Sequence, residues 1–138
     1  MSEPEPEVGT LHHVEVRVAH LDLAEREWAW LLEALGYREF LRWDGGIGWR
    51  RGPTYLVVEQ AAYDGAHDRR RPGLSHLAFH AGDHQDADRL WQEGPQYGWR
   101  QLYPDRHPYA GGPDHYAAFL ENSERFKVEL VATHSPRR

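Results

Sequence analysis

The sequence has no cysteine. That excludes a disulfide scaffold, a thiolate nucleophile and a Cys-ligated zinc or iron–sulfur centre, and it fits a reducing compartment. Positive charge is also short: 16 Lys and Arg face 22 Asp and Glu, a net charge of −6. Phosphate neutralisation needs a surplus of cations, so nucleic acid is not an expected partner. No apolar run approaches the ~20 residues of a membrane span. The acidic, Pro-rich start MSEPEPEVGT lacks the charged-then-apolar order of a signal peptide. The expectation is a cytoplasmic protein with no membrane partner. What is present is a globular composition, 40% hydrophobic and 28% charged over 138 residues, the length of one domain. Histidine is abundant, at ten residues, beside six Trp and seven Tyr. His is the commonest metal ligand.

The chain repeats itself. Residues 1–10 and 134–138 read as flexible tails, around a single domain at 11–133. Within it, residues 11–18 alternate as a strand, with Val14, Val16 and Val18 on one face and His13, Glu15 and Arg17 on the other. Asp22 and Glu25 have capping-box spacing. The helix they would open carries Leu23, Trp30, Leu31 and Leu35 as an apolar stripe, with Trp28 nearby, and ends near Gly36. Strands follow from Tyr37, at Ile47–Arg51 and at Tyr55–Gln60, with turns at Asp44-Gly-Gly and Gly52-Pro53.

The same order returns after the linker Ala61–Pro72, whose Asp68-Arg-Arg-Arg run reads as solvated. Leu74–His80 is a strand with His76, Ala78 and His80 on one face. Asp83 caps a second helix that stops near Gly94-Pro95, and His115–Leu120 and Arg125–Thr133 are further strands. His76 lies 63 residues after His13, Gly98 lies 62 after Gly36, and Glu129 lies 70 after Glu59. The larger last step reflects the long loop Pro104–Asp114. Two βαβββ modules, at 11–60 and 74–133, describe this pattern, an α+β fold.

The repeat pairs four polar residues: His13 with His76 on the first strands, and Glu59 with Glu129 on the last. Each lies on the strand face opposite the steadier apolar run. Two imidazoles and two carboxylates on a common concave surface would suit one divalent metal with open positions. Arg17, Arg106, His107, Tyr109 and Tyr116 are the candidate substrate-binding residues, three of them on the long loop, where such contacts concentrate.

At these residues the chain resembles the vicinal oxygen chelate superfamily, the glyoxalase I, bleomycin-resistance and extradiol dioxygenase group. The resemblance covers about residues 10–132. Its carriers are His13-Val-Glu-Val-Arg-Val, the helix ending Leu35-Gly-Tyr, Gly73-Leu-Ser-His-Leu-Ala-Phe and Lys127-Val-Glu-Leu. It implies paired modules curled into a glyoxalase-like partial barrel, a homodimer, and a metal held by His13, Glu59, His76 and Glu129. The metal would be one ion of Ni, Zn, Co, Mn or Fe. It also implies an isomerase or lyase acting on a small vicinal-oxygen substrate through a metal-stabilised enediolate, with Glu129 or Glu59 as the base. Antibiotic-binding resistance proteins and Fe(II) extradiol dioxygenases are the alternatives. The dioxygenases carry an acid–base Tyr where this chain has Phe119. The glutathione-using enzymes carry Thr-His-Asn where Glu59 is followed by Gln60-Ala-Ala.

Overall fold

A computed structural model of the chain describes residues 5–134. Of the expected tails, residues 1–4 and 135–138 lie outside the described residues. Residues 5–10 are exposed and carry a turn in which Thr10 N donates to Glu7 O at 3.2 Å. The chain divides into two compact units, Met1–Gly65 and Ala66–Arg138. Among the described residues no helix is long and apolar enough to cross a membrane.

The first unit runs β1 (His13–Val18), α1 (Leu21–Ala34), β2 (Arg38–Trp43), β3 (Gly46–Arg51) and β4 (Thr54–Gln60). Its sheet order is β1-β4-β3-β2, with β1 and β4 parallel and the other pairs antiparallel. The parallel pair requires a crossover, which the helix and the β2–β3 hairpin supply. Val16, Val18, Ile47, Trp49, Leu56 and Val58 are buried on one face, with Ala24, Trp28, Leu31 and Leu32 of α1. The buried helix stripe is therefore 24, 27, 28, 31 and 32, at the spacing of one face. The expected stripe was rotated from this: Leu23 is exposed and Trp28 lies at the centre.

The expected cap is also corrected. The helix starts at Leu21, with Asp22 already inside its first turn. Gln60, at the end of β4, closes that terminus instead. Its Oε1 accepts from Leu21 N at 3.1 Å and its Nε2 donates to Ala19 O at 2.8 Å. Gly36 follows the helix at φ +93°, a left-handed conformation that L side chains adopt at a cost. Gly98 holds the same φ in the second unit, so the repeat extends to backbone conformation.

The second unit runs β5 (Leu77–Asp83), α2 (His84–Glu93), a 3-10 turn at Gly94–Tyr97, β6 (Arg100–Gln101), β7 (Ala117–Glu121) and β8 (Lys127–His134). Its sheet order, β5-β8-β7-β6, repeats the first. Asp83 caps α2 in a reciprocal box with Asp86, as the sequence pattern indicates. Leu120, Val128 and Leu130 are buried on the face that meets the helix side, where Leu120 lies against Gly94. The Asp68-Arg-Arg-Arg run is not wholly solvated. Arg70 and Arg71 are exposed and pair with Asp68, but Arg69 is inserted onto the buried carboxylate of Glu121. Residues 66–72 thus belong to the second unit rather than to a free linker.

Candidate functional site

The register of the second sheet separates its two faces. Ala78 pairs with Glu129, and Phe119 pairs with Glu129 from the other side. Partners across a sheet share a face, so Ala78, Phe119 and Glu129 point away from the face of Leu120, Val128 and Leu130. His76 immediately precedes β5 and takes the same side. Its Nε2 lies 3.0 Å from Glu129 Oε1, and its Nδ1 lies 3.0 Å from Ser75 Oγ. His115, just before β7, brings its own Nε2 onto the other oxygen, Glu129 Oε2. Two imidazoles therefore converge on one carboxylate whose side chain is 12% exposed. Among the described residues, no group of three or more His, Asp or Glu side chains is placed to hold a metal ion; His76 and His115 each hydrogen-bond Glu129 directly.

The first unit places its pair differently. His13 is level with Tyr55 and stacks on its ring, centroids 4.5 Å apart. Its Nε2 lies 3.0 Å from Glu15 Oε2 and its Nδ1 2.9 Å from His12 Nδ1. Glu59 is level with Arg17, whose Nε donates to it at 3.3 Å. Four residues along paired strands is about 13 Å at ~3.3 Å per residue. His13 and Glu59 share a face, as expected, but stand at opposite ends of it. Extending the register by one residue puts His76 level with Lys127, so Glu129 sits two residues beyond the level of its histidine. The residue two beyond Tyr55 is Val57, not Glu59.

The candidate substrate-binding residues divide as well. Arg17 is spent on Glu59. His107 stacks on Trp91 of α2 at 3.7 Å, and burial holds its imidazole below the usual histidine range. Tyr116 stacks on His84 and donates its hydroxyl to Asp88 at 2.6 Å. Burial, then that carboxylate, pushes its phenol well above the usual tyrosine range. Tyr109 is exposed, edge-on to Tyr116. Arg106 behaves otherwise: its guanidinium lies 4.8 Å over the ring of Tyr103.

Tyr103, Lys127 and His115 were not singled out from the sequence. Tyr103 packs edge-on to Phe119 at 5.5 Å, and Lys127 Nζ donates to its Oη at 3.0 Å. The same ammonium lies 5.0 Å from the centre of the Phe119 ring. This cluster adjoins Glu129, because Phe119 is Glu129's register partner. The Lys127 hydrogen bond, opposed by partial burial, holds the Tyr103 phenol below the ordinary tyrosine range. Lys127→Met is therefore expected to raise this phenol, although Arg69 still holds it down. Ultraviolet titration of phenolate checks this, with Tyr103→Phe assigning the step. An early step that persists unchanged in Lys127→Met would refute the pairing.

No family model matches the chain. It is 45% identical over 125 residues to the uncharacterized protein YqjT of Bacillus subtilis, covering 88% of this chain and 98% of that protein. A crystal structure from Bacillus halodurans, described as a candidate glyoxalase, superposes with a TM-score of 0.86 at 45% identity, over 94% of this chain and 97% of that one. The chain belongs to the vicinal oxygen chelate superfamily. A lactoylglutathione lyase from Agrobacterium tumefaciens, at 16% identity, shares the superfamily fold with a TM-score of 0.64, over 94% of this chain and 96% of that one. A glyoxalase/bleomycin resistance protein from Albidiferax ferrireducens does so at 18% identity and 0.72, over 90% and 98%. Imidazole nitrogen and carboxylate oxygen are donor types that a divalent cation takes, and His76 and Glu129 supply one of each side by side, 3.0 Å apart.

Proposed function

We propose that the chain is a divalent-metal-dependent, glyoxalase-like enzyme, an isomerase or lyase acting on a small substrate with two neighbouring oxygens. The observation that supports this reading is the His76–Glu129 pair, set on the sheet face away from α2 and flanked by Phe119, Tyr103 and Lys127. A bound divalent cation would supply Lewis acidity toward the two substrate oxygens.

The remaining chemistry belongs to side chains. Ser75 Oγ, 3.0 Å from Nδ1, holds the tilt of the His76 ring, which presents Nε2. Glu129, part-buried between imidazoles, takes a proton from the carbon next to the substrate carbonyl. Phe119 and Tyr103 give an apolar wall, and Lys127 and Arg106 place positive charge beside it. That charge favours a substrate oxygen that becomes negative as the proton leaves.

The test is elemental analysis of the purified chain after exposure to Ni, Zn, Co, Mn and Fe(II), beside His76→Ala. The expected result is close to one ion per chain, lost in the variant. No retained ion of any kind would sink the reading in favour of a protein that binds without turnover. Retention of iron alone, with oxygen uptake on catechols, would replace it with ring cleavage.

A further inference from the structure

We propose that Lys127, Arg106 and Tyr103 bind the carboxylate of a small organic acid, with the Tyr103 ring, backed by Phe119, as the wall for its apolar body. This goes beyond the metal-dependent reading, because anion binding needs neither an ion nor turnover.

Three observations support it. The first is uncompensated charge. Among the described residues, Lys127 and Arg106 form no ion pair, and both lie against rings. The Arg106 guanidinium is 4.8 Å over Tyr103, and Lys127 Nζ is 5.1 Å from the centre of that ring and 5.0 Å from that of Phe119. The carboxylates that the sheet brings to Lys127 are engaged elsewhere. Glu121, its partner on β7, takes Arg69, Arg100 and Arg125. Glu129, two residues on along the same face, takes His76 and His115. Lys127 is half-buried, where a cation without a counter-charge is costly. The chain as a whole carries −6, so this positive surplus is local.

The second is the hydrogen bonding of Tyr103. Lys127 Nζ donates to its Oη at 3.0 Å, and Arg69 donates to the same oxygen. A phenol that accepts twice still has its own proton to give. Among the described residues no acceptor meets that proton, and a carboxylate oxygen beside Lys127 would. The third is the backbone. Tyr103 holds φ +55°, uncommon for a bulky side chain. Its carbonyl accepts from Arg106 N at 3.0 Å and His107 N at 2.9 Å, so the chain turns back and sets Arg106 over the ring. Strain of this kind clusters at ligand clamps.

The donors favour a carboxylate over a phosphate. A guanidinium fork matches two carboxylate oxygens, with the ammonium as a point charge beside it. The backbone N–H groups of a helix N-terminus, a common phosphate cradle, are not among these donors. Both cations are charged before any reaction begins, so they call for an anion already present in the ligand.

The experiment uses the metal-free full chain. Benzoate, phenylacetate and lactate, their neutral amides, and phenyl phosphate are titrated by calorimetry. The ring resonances of Tyr103, assigned with Tyr103→Phe, locate the contact. At least one carboxylate is expected to bind saturably and shift those resonances, with its amide much weaker. Lys127→Met and Arg106→Met are each expected to weaken binding by roughly tenfold or more, the scale of a hydrogen bond to a charged group. Arg70→Met, which removes an exposed cation paired with Asp68, is expected to leave it unchanged. The assignment is overturned if no carboxylate binds, if acid and amide bind alike, or if phenyl phosphate binds more tightly than every acid. A loss in Arg70→Met as large as in Lys127→Met also overturns it, by showing diffuse surface charge. Should a variant fail to fold, the acid–amide comparison and the Tyr103 shift in wild type decide. A chain that binds the acid but takes up no metal loses the metal-dependent reading and keeps this one; the reverse result does the opposite.

Discussion

Glu121→Ala is expected to destabilise the chain by about 3–5 kcal/mol, the cost of removing one partner from a buried ion pair. The Glu121 side chain is 3% exposed at the end of β7 and carries three guanidinium groups. Arg69 and Arg100 each take one oxygen, and Arg125 approaches Oε2 at 3.6 Å. Arg100 and Arg125 are largely exposed, so they regain water when the carboxylate is lost. Arg69 is 15% exposed and cannot. It would be left as a nearly buried charge with only neutral partners, the carbonyl of Arg125 at 3.4 Å and the phenol of Tyr103. Against a typical total stability of ~5–15 kcal/mol, the loss is a large fraction. Glu121→Gln keeps an acceptor and is expected to cost less, about 1–3 kcal/mol. Adding Arg69→Met to Glu121→Ala should recover part of the loss, because the stranded charge goes too. Urea denaturation of the four proteins checks this. A Glu121→Ala midpoint close to wild type would show that the carboxylate is not what holds residues 66–72 to the sheet.

Arg69 also shows what a sequence reading can and cannot reach. In Asp68-Arg-Arg-Arg nothing local distinguishes the first arginine from the next two, and the partner that buries it is 52 residues away. The α1 terminus fails for the same reason. Asp22 and Glu25 have the spacing of a capping box, but the cap comes from Gln60, 39 residues away from Leu21. Asp83 and Asp86 were legible because both halves of that box lie within one turn.

Strand faces were legible too, since alternation with a period of two is written into Val14-Glu-Val-Arg-Val and Lys127-Val-Glu-Leu. Strand level was not. A slip of one residue exchanges the faces, but a slip of two preserves them, so alternation is blind to it. Matching Val58-Glu59 to Val128-Glu129 by identity aligned the two glutamates. The two-residue turn at Gly52-Pro53 and the five residues between β7 and β8 set different levels, and Val57 is the positional counterpart of Glu129. His115 was invisible for a further reason. It precedes its strand, and no periodicity links it to a carboxylate 14 residues on.

Glu129→Gln is expected to lower divalent-metal affinity by more than ~100-fold while leaving the metal-free fold within about 1 kcal/mol of wild type. The two halves of this expectation have separate causes. The substitution is close to isosteric, and the hydrogen-bonding partners of Glu129 are imidazoles rather than guanidiniums, so no stranded cation is left behind as in Glu121→Ala. A carboxamide, however, offers one neutral oxygen where the carboxylate offers two that share a negative charge. That removes most of the attraction for a dication. Linkage makes the difference measurable without knowing the substrate. An ion that binds only the folded chain adds RT ln(1 + [L]/Kd), about 2.7 kcal/mol at 100-fold excess over Kd. Wild type should therefore unfold at a higher temperature when Zn(II) or Co(II) is added, and Glu129→Gln should not respond. Turnover, once a substrate is found, should fall with it by roughly 10²–10⁴, the usual contribution of a positioned base. Equal stabilisation of both proteins by metal would place the ion elsewhere and remove Glu129 from the site.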